Sequence, residues 1–326
     1  MVTLPASIPS PDVSFIQLGP FTIHFYALCI LVGIIAATLI TNARLTRRGA
    51  EPGIIIDLLL WVVPLGIIGA RIFHVLTHPD DYFYPGADLL RTLYIWEGGI
   101  AIFGALIGGG IGAWIGCRVL GLRFSVFADA LAPALLVAQA FGRFGNWFNQ
   151  ELFGLPTDLP WGLEIDASNP AYPVGLPAGT LFHPTFLYEV IWNLLGAAVI
   201  VWLGRRFTLQ WGRQLAVYLI WYGAGRVVWE SIRIDPSEVF LGLRVNVWAA
   251  LIAVVLGIVI FFVQARRHPG LVPSAYRPGR NTTETDGELD SDSPDSVYVD
   301  LSDDADGVVD QGEPAATSER DSLNRT

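Results

Sequence analysis

The sequence predicts an all-α polytopic membrane protein with about seven transmembrane helices. Hydrophobic residues make up 52% of the 326 residues, and long apolar runs recur along the first 265. A helix needs about 20 such residues to cross the hydrocarbon layer of a bilayer. Helices are favoured over strands because each backbone amide in lipid must be satisfied within its own segment. The predicted spans are residues 21–41, 54–76, 98–117, 124–141, 184–203, 214–232 and 245–265.

The arginine distribution predicts the orientation of these helices. Short loops that are rich in basic residues stay on the cytoplasmic side of a membrane. One set of alternating loops contains ten arginines and the other set contains three. The amino terminus is therefore predicted outside and the carboxyl terminus inside. The ten are Arg44, Arg47, Arg48, Arg118, Arg123, Arg205, Arg206, Arg213, Arg266 and Arg267, and the three are Arg91, Arg233 and Arg244.

The chain divides into a membrane domain and two terminal segments. Residues 1–20 form a predicted outer segment, and residues 21–265 form the seven-helix domain. Within that domain, the loop at about 149–183 is rich in proline and glycine and is long enough to form a small cap on the outer face. Residues 266–326 are polar and predict a disordered cytoplasmic tail. From residue 281 onward there are 14 acidic residues and two arginines, so the net charge of −10 belongs to the tail.

Two features inside the helices are predicted to be structural. The third helix has glycine at every fourth residue, which favours close packing against a neighbouring helix. Asp57 and Asp129 are predicted in the first turns of the second and fourth helices, where a carboxylate stabilises the positive end of a helix. The glycines are Gly104, Gly108, Gly112 and Gly116.

Other charged and polar side chains within the helices are candidate functional residues. A charge at the membrane centre costs about 2.5–3.5 kcal/mol on insertion scales, so each one requires a reason. Tyr222, Arg226, Glu230 and Arg233 are four, four and three residues apart, which places them on one face of the sixth helix. The predicted topology brings this face towards the outer half of the bilayer. The same region is predicted to contain His24, Tyr26, Arg71, His74, Glu97, Arg143, Asn146, His183, Tyr188 and Glu189.

Two of these residues, Arg143 and Arg226, suit the binding of a phosphate. A guanidinium group is permanently charged and presents a fork of donors that matches phosphate oxygens. A phospholipid headgroup in the outer leaflet is therefore the predicted ligand. The spacing alone leaves a second interpretation open, in which the two arginines only neutralise Glu151 and Glu230.

The most specific motif covers residues 142–154. Its sequence, GRFGNWFNQELFG, resembles the pattern G-R-x-G-N-x-x-N-x-E-x-x-G of bacterial prolipoprotein diacylglyceryl transferases. The resemblance extends in order over about residues 15–265. Many members of the family have a histidine in the third helix where this chain has Phe103. The other matching stretches are HFY at 24–26, GAR at 69–71, WEGG at 96–99, HPTFLYE at 183–189 and YGAGRVVWE at 222–230.

The resemblance implies an enzyme that moves the diacylglyceryl group of phosphatidylglycerol to the lipobox cysteine of a prolipoprotein signal peptide and releases glycerol phosphate. It implies that Arg143 and Arg226 stabilise the departing phosphate. Because Phe103 cannot carry a proton, His24 and Glu151 are the first candidates for the base, and Tyr26 for binding or proton transfer. The predicted headgroup-binding residues are Arg143, Asn146, Asn149, Gly154, Arg226, Glu230 and Tyr222.

The expected partners are phosphatidylglycerol, membrane lipid and the prolipoprotein, with no nucleic acid. No metal or other cofactor is expected, because no cluster has metal-ligand spacing. The predicted location is the bacterial cell (inner) membrane, with the site facing the outer leaflet. A transporter or flippase would place its charges near the midplane, often within an internal repeat, and this sequence has neither feature. A non-catalytic scaffold would tolerate Arg143→Ala, whereas an enzyme would not.

Overall fold

The computed structural model describes residues 7–279, and this range contains seven long α-helices. Each helix overlaps one predicted span. Six of them, all except α6, are long and apolar enough to cross a membrane, which confirms a polytopic membrane protein. Because α6 carries Arg226 and Glu230, a count of seven spans stays a prediction. The helices are α1 Phe25–Thr46, α2 Ile54–Thr77, α3 Ile102–Val119, α4 Phe124–Phe148, α5 Thr185–Arg206, α6 Arg213–Ile232 and α7 Val245–Arg267.

Two clusters of buried apolar side chains mark the two ends of the bundle. One contains Leu45, Ile54, Leu122 and Tyr276, which come from the end of α1, the start of α2, the α3–α4 loop and the segment after α7. The other forms around Phe182, between the end of α4 and the start of α5. We call the first the inner end and the second the outer end, after the predicted orientation.

The central helix of the bundle is α4, which packs against α1, α5 and α6. Two further pairs, α2 with α3 and α6 with α7, pack side by side. Large apolar side chains point away from the bundle on the outer helices, for example Leu39, Leu60 and Ile252. Such extensive apolar exposure suits contact with lipid rather than with water.

The glycine repeat of α3 packs directly on the backbone of α2. A Cβ atom at Gly104 would overlap the carbonyl oxygen of Gly69, and one at Gly108 would overlap that of Leu65. The two helices therefore approach more closely than any side chain would allow. The prediction that this repeat serves helix packing is confirmed.

Asp129 stabilises a different helix from the one predicted. Its carboxylate accepts hydrogen bonds from the backbone amides of Gly212 and Gln214, each at 2.8 Å, and of Leu215 at 3.2 Å. These amides belong to the start of α6, whereas Asp129 itself lies beyond the first turn of α4. The prediction that it serves the end of its own helix was wrong, because the amides that need an acceptor come from a distant part of the chain.

The described chain continues after α7 to residue 279, and the predicted tail boundary at 266 stays a prediction. We call residues 268–279 the inner strap. Its backbone carbonyls accept bonds from Trp211 Nε1 at 2.9 Å and from Arg123 Nε at 2.9 and 3.0 Å. The hydroxyl of Tyr276 accepts a bond from the Glu51 amide at 3.0 Å. The strap thus joins all three inner loops. The rest of the predicted tail, and residues 1–6, lie outside the described residues.

The cap segment, residues 149–183, folds together with the amino-terminal segment. Its strands β4 and β5 pair with each other, and β1 pairs with β4 in parallel. Phe153, Leu163 and Phe182 are buried in its apolar cluster. Its position as a cap on the outer face stays a prediction. The strands of the chain are β1 Ser7–Ile8, β2 Phe15–Leu18, β3 Phe21–His24, β4 Gly162–Glu164, β5 Leu181–Phe182, β6 Val239–Phe240 and β7 Leu243–Arg244.

Candidate functional site

Arg143 lies near the outer end of α4 and is held by two partners. Its Nε atom lies 2.8 Å from Oε2 of Glu189 on α5, and this carboxylate is buried. Its Nη1 donates to Oδ1 of Asn146 at 3.1 Å, one helical turn further on. The guanidinium is therefore fixed between α4 and α5 before any ligand binds.

Glu151 is connected to Arg143 only indirectly. Asn146 Nδ2 donates to Glu151 Oε1 at 2.8 Å, and Asn149 Nδ2 donates to the same oxygen at 3.4 Å. The chain leaves α4 in a sharp turn, with left-handed backbone at Gln150 (φ 51°), which carries Glu151 back towards the helix end. The direct counter-charge of Arg143 is Glu189, so the interpretation in which Arg143 neutralises Glu151 was wrong.

Tyr26 packs on the same stretch of α4. A Cβ atom at Gly145 would lie 2.5 Å from Cδ2 of the Tyr26 ring, so the ring occupies the space that a side chain at 145 would need. This close approach explains why glycine stands at that position. The predicted residues Tyr26, Arg143 and Asn146 are thus brought together.

Glu230, on α6, is fully buried and is surrounded by donors. Its Oε2 lies 2.9 Å from Nη2 of Arg226 and 3.5 Å from Nη1 of Arg233. Its Oε1 accepts from Arg244 at 3.1 Å and from Asn246 at 3.0 Å. One carboxylate therefore positions three arginines. The ion pair between Arg226 and Glu230 is the one that their four-residue spacing predicts.

Arg233 is paired with two carboxylates, Glu230 and Asp235. It forms a two-pronged ion pair with Asp235, with bonds of 2.7 and 2.8 Å. Burial alone would lower the pKa of Arg233, but Asp235, Glu230 and Glu189 outweigh it, so the pKa lies above the ordinary value. Arg226 and Arg233 thus share the Glu230 carboxylate, whereas Arg143 is paired with Glu189.

Arg226 retains an unused donor. Its Nη1 atom is buried and has no hydrogen-bond partner among residues 7–279. A buried donor without an acceptor costs about 1–3 kcal/mol, and more when it is charged. The position next to Nη1 is therefore one where an anionic oxygen would be bound strongly.

Two predicted site residues make other contacts. His24 is exposed at the end of β3, and its ring packs on Phe15 with 5.9 Å between ring centroids. Tyr222 stacks on Tyr218 at 5.8 Å, and the Tyr218 hydroxyl accepts a bond from Gln139. Glu230 orients Arg226 through their ion pair, and a headgroup-binding role for Tyr222 stays a prediction.

Gly154 is a packing position in this structure. A Cβ atom there would lie 2.8 Å from Cβ of His183 and 3.2 Å from the carbonyl oxygen of Ile232. Its amide donates to the His183 carbonyl at 3.0 Å. Gly154 thus lets the cap segment pass between the start of α5 and the end of α6.

Arg71, which the topology also places at the outer end, binds backbone. Its nitrogens donate to the carbonyls of Thr92 at 2.8 Å, Gly98 at 2.7 Å and Gly99 at 3.0 Å. It therefore organises the α2–α3 loop. Phe103, the departure from the family pattern, packs on Phe73 with centroids 6.2 Å apart.

Sequence reasoning named Glu189 and Arg233 as candidates but missed Arg244 and Asn246, which also bind the Glu230 carboxylate. Glu189 is part of the HPTFLYE stretch, but nothing in the sequence shows which arginine it meets. Arg244 and Asn246 reach Glu230 because the β6–β7 hairpin returns the chain to the outer end of α6. Arg233 lies three residues after Glu230, and the ion pair that this spacing allows is present at 3.5 Å.

The fold and the site together define a polytopic membrane protein with a buried network of ion-paired arginines at one end of its bundle. The family model described as prolipoprotein diacylglyceryl transferase matches residues 13–263. The chain therefore belongs to the prolipoprotein diacylglyceryl transferase family.

Several curated relatives are similar over most of their length, and each is called a phosphatidylglycerol–prolipoprotein diacylglyceryl transferase. The protein of Leifsonia xyli subsp. xyli is 60% identical over 324 residues, which covers 96% of this chain and 97% of the relative. A second, from Bifidobacterium longum, is 50% identical over 274 residues (79% and 85%). Enzyme 2 of Streptomyces coelicolor is 45% identical over 300 residues (91% and 92%).

Proposed function

We propose that this protein transfers the diacylglyceryl group of phosphatidylglycerol to a cysteine thiol of a prolipoprotein, forming a thioether and releasing glycerol phosphate. Family membership and the high identity to relatives named for this activity support the proposal. The structural observation that carries it is that Arg143 and Arg226 are each held by an ion pair with a buried carboxylate, that of Glu189 and that of Glu230.

The reaction is a displacement at the glyceryl carbon. The sulfur attacks this carbon while the bond from carbon to the phosphate oxygen breaks, and the phosphate leaves with the bonding electrons. Charge grows on the phosphate as that bond breaks, so a fixed cation beside it stabilises the transition state more than the ground state. Arg143 and Arg226 fill this role because their ion pairs fix them in advance.

The thiol must lose its proton, since its ordinary pKa is about 8.5. Glu151 is our first choice for the base, ahead of His24. Its carboxylate is joined through Asn146 to Arg143 and so lies beside the proposed phosphate site. His24 instead packs on Phe15. Tyr26, against the same part of α4, contributes to substrate binding.

We place the protein in the bacterial cell membrane with its outer end towards the outer leaflet. Phosphatidylglycerol then reaches the arginines sideways from the bilayer. The lipobox cysteine of an exported precursor lies at the same interface, next to the cap. This arrangement rests on the predicted orientation and on the arginine bias of the loops.

The test is a transfer assay with purified protein, phosphatidylglycerol and a lipobox peptide. We expect the wild type to be active and Arg143→Ala to lose at least about 100-fold, as for other groups that stabilise developing charge. Arg118→Ala is the matched control, because Arg118 lies at the inner end and stacks on Trp114. Full activity of Arg143→Ala would contradict the proposed role.

Phe103→His tests the proton acceptor in the same assay. We expect activity within a few-fold of the wild type, because another group serves as the base. A wild type that is inactive until histidine is introduced at 103 would refute that assignment.

A further inference from the structure

Two neighbouring donors on α6 lack acceptors. Nη1 of Arg226 and Nε1 of Trp229 are both buried, and neither has a hydrogen-bond partner in the described part of the chain. Residues three positions apart lie on the same face of a helix. An indole N–H can only donate, so both atoms require an oxygen that the protein itself does not supply.

The ring of Trp229 is fixed by its neighbours. It lies 5.6 Å from the Tyr188 ring and 6.2 Å from the Trp192 ring, the latter nearly perpendicular. Other indoles of this region are satisfied: Trp192 Nε1 donates to the Trp221 carbonyl at 3.2 Å, and Trp161 Nε1 donates to Tyr188 at 3.0 Å. Trp229 therefore differs from these two neighbouring tryptophans in having no acceptor for its indole N–H.

The orientation of Arg226 points to the kind of ligand. Glu230 binds Nη2 at 2.9 Å, and Nη1 is left for an external group. A phosphodiester presents several oxygens within a few ångströms of one another and can accept from a guanidinium and a second donor at once.

We infer that Trp229 binds the lipid headgroup, its indole N–H donating to an oxygen of the phosphodiester that Arg226 holds. The inference deepens the proposed function and rests on it. It adds a headgroup contact at a position of α6 between Arg226 and Glu230.

Trp229→Phe removes the donor and keeps an aromatic ring between Tyr188 and Trp192. We expect the KM for phosphatidylglycerol to rise about 5- to 10-fold, as for one lost hydrogen bond, with a much smaller change in kcat. The melting temperature of the lipid-free protein in detergent should be unchanged or higher, since the substitution removes a donor that is unsatisfied without ligand.

Trp192→Phe is the matched control, because its N–H already has a backbone acceptor. We expect it to lower the melting temperature and to leave the KM unchanged. If both variants changed the KM equally, ring packing would be the cause and the inference would be overturned.

A binding measurement separates this inference from the proposed function. Short-chain phosphatidylglycerol in micelles should raise the melting temperature of the wild type, and by less in Trp229→Phe. If the wild type transfers the lipid, but Trp229→Phe has the same KM and the same thermal shift as the wild type, the inference is overturned and the proposed function is not. A wild type that is stabilised by the lipid but transfers nothing overturns the proposed function, while the thermal shift still tests the contact.

Discussion

Replacing Glu230 with glutamine tests whether one carboxylate holds the arginines of the site. Glu230 is 1% exposed, and its two oxygens accept from Arg226, Arg233, Arg244 and Asn246. Glutamine keeps the volume but removes the charge and turns one acceptor into a donor that faces other donors. Removing one partner of a buried ion pair costs about 3–5 kcal/mol.

We expect a value near the lower end, about 3 kcal/mol, because Arg233 keeps its two bonds to Asp235. For a domain of this size, that corresponds to a fall in melting temperature of about 6–12 °C. Transfer activity should fall as well, since Arg226 loses the carboxylate that orients it.

The assay is thermal unfolding of the detergent-solubilised protein at one scan rate. Glu97→Gln is the control: its side chain is 43% exposed and that of its partner Arg91 is 50% exposed, and exposed ion pairs contribute about 1 kcal/mol or less. A melting temperature of Glu230→Gln within about 2 °C of the wild type would refute the reasoning, and so would an equal effect of the two substitutions.

Two pairs of glycine substitutions test the close contacts. Gly108→Ala should destabilise by about 2–3 kcal/mol, because its Cβ would overlap the α2 backbone. Gly110→Ala, which has open space, should change the free energy of unfolding by less than about 0.5 kcal/mol. Gly145→Ala should displace the Tyr26 ring and lower transfer activity, whereas Gly142→Ala, with nothing within 4 Å, should not. Thermal unfolding and the transfer assay measure these effects, and equal effects within either pair would contradict the packing described.

The helices were predictable because the bilayer imposes a long apolar run on each of them. The residues at which the helices begin and end were less predictable. Residues 21–24 are apolar enough to extend the first helix, but they pair with β2 as a hairpin, and α1 begins at Phe25. In contrast, α4 is longer than predicted and continues to Phe148. The prediction ended this helix before the polar residues Arg143 and Asn146, which lie within it because an ion pair and a hydrogen bond satisfy them.

The site was predictable where its contacts are local in sequence. Arg226 and Glu230 are four residues apart on one helix, and that spacing alone predicts their ion pair. The partner of Arg143 is Glu189, 46 residues away on another helix. Helical spacing reports only neighbours on the same helix, so such a pair requires the packing of α4 against α5. The same limit concealed the two donors that reach Glu230 from the start of α7.

The inner strap has a mechanical consequence for the bundle. Three loops that would otherwise move independently share bonds to residues 268–279, through Trp211, Arg123 and Glu51. Separating the helices at that end requires breaking all of these bonds at once. We therefore expect the three inner loops to move together as one unit when the helices shift.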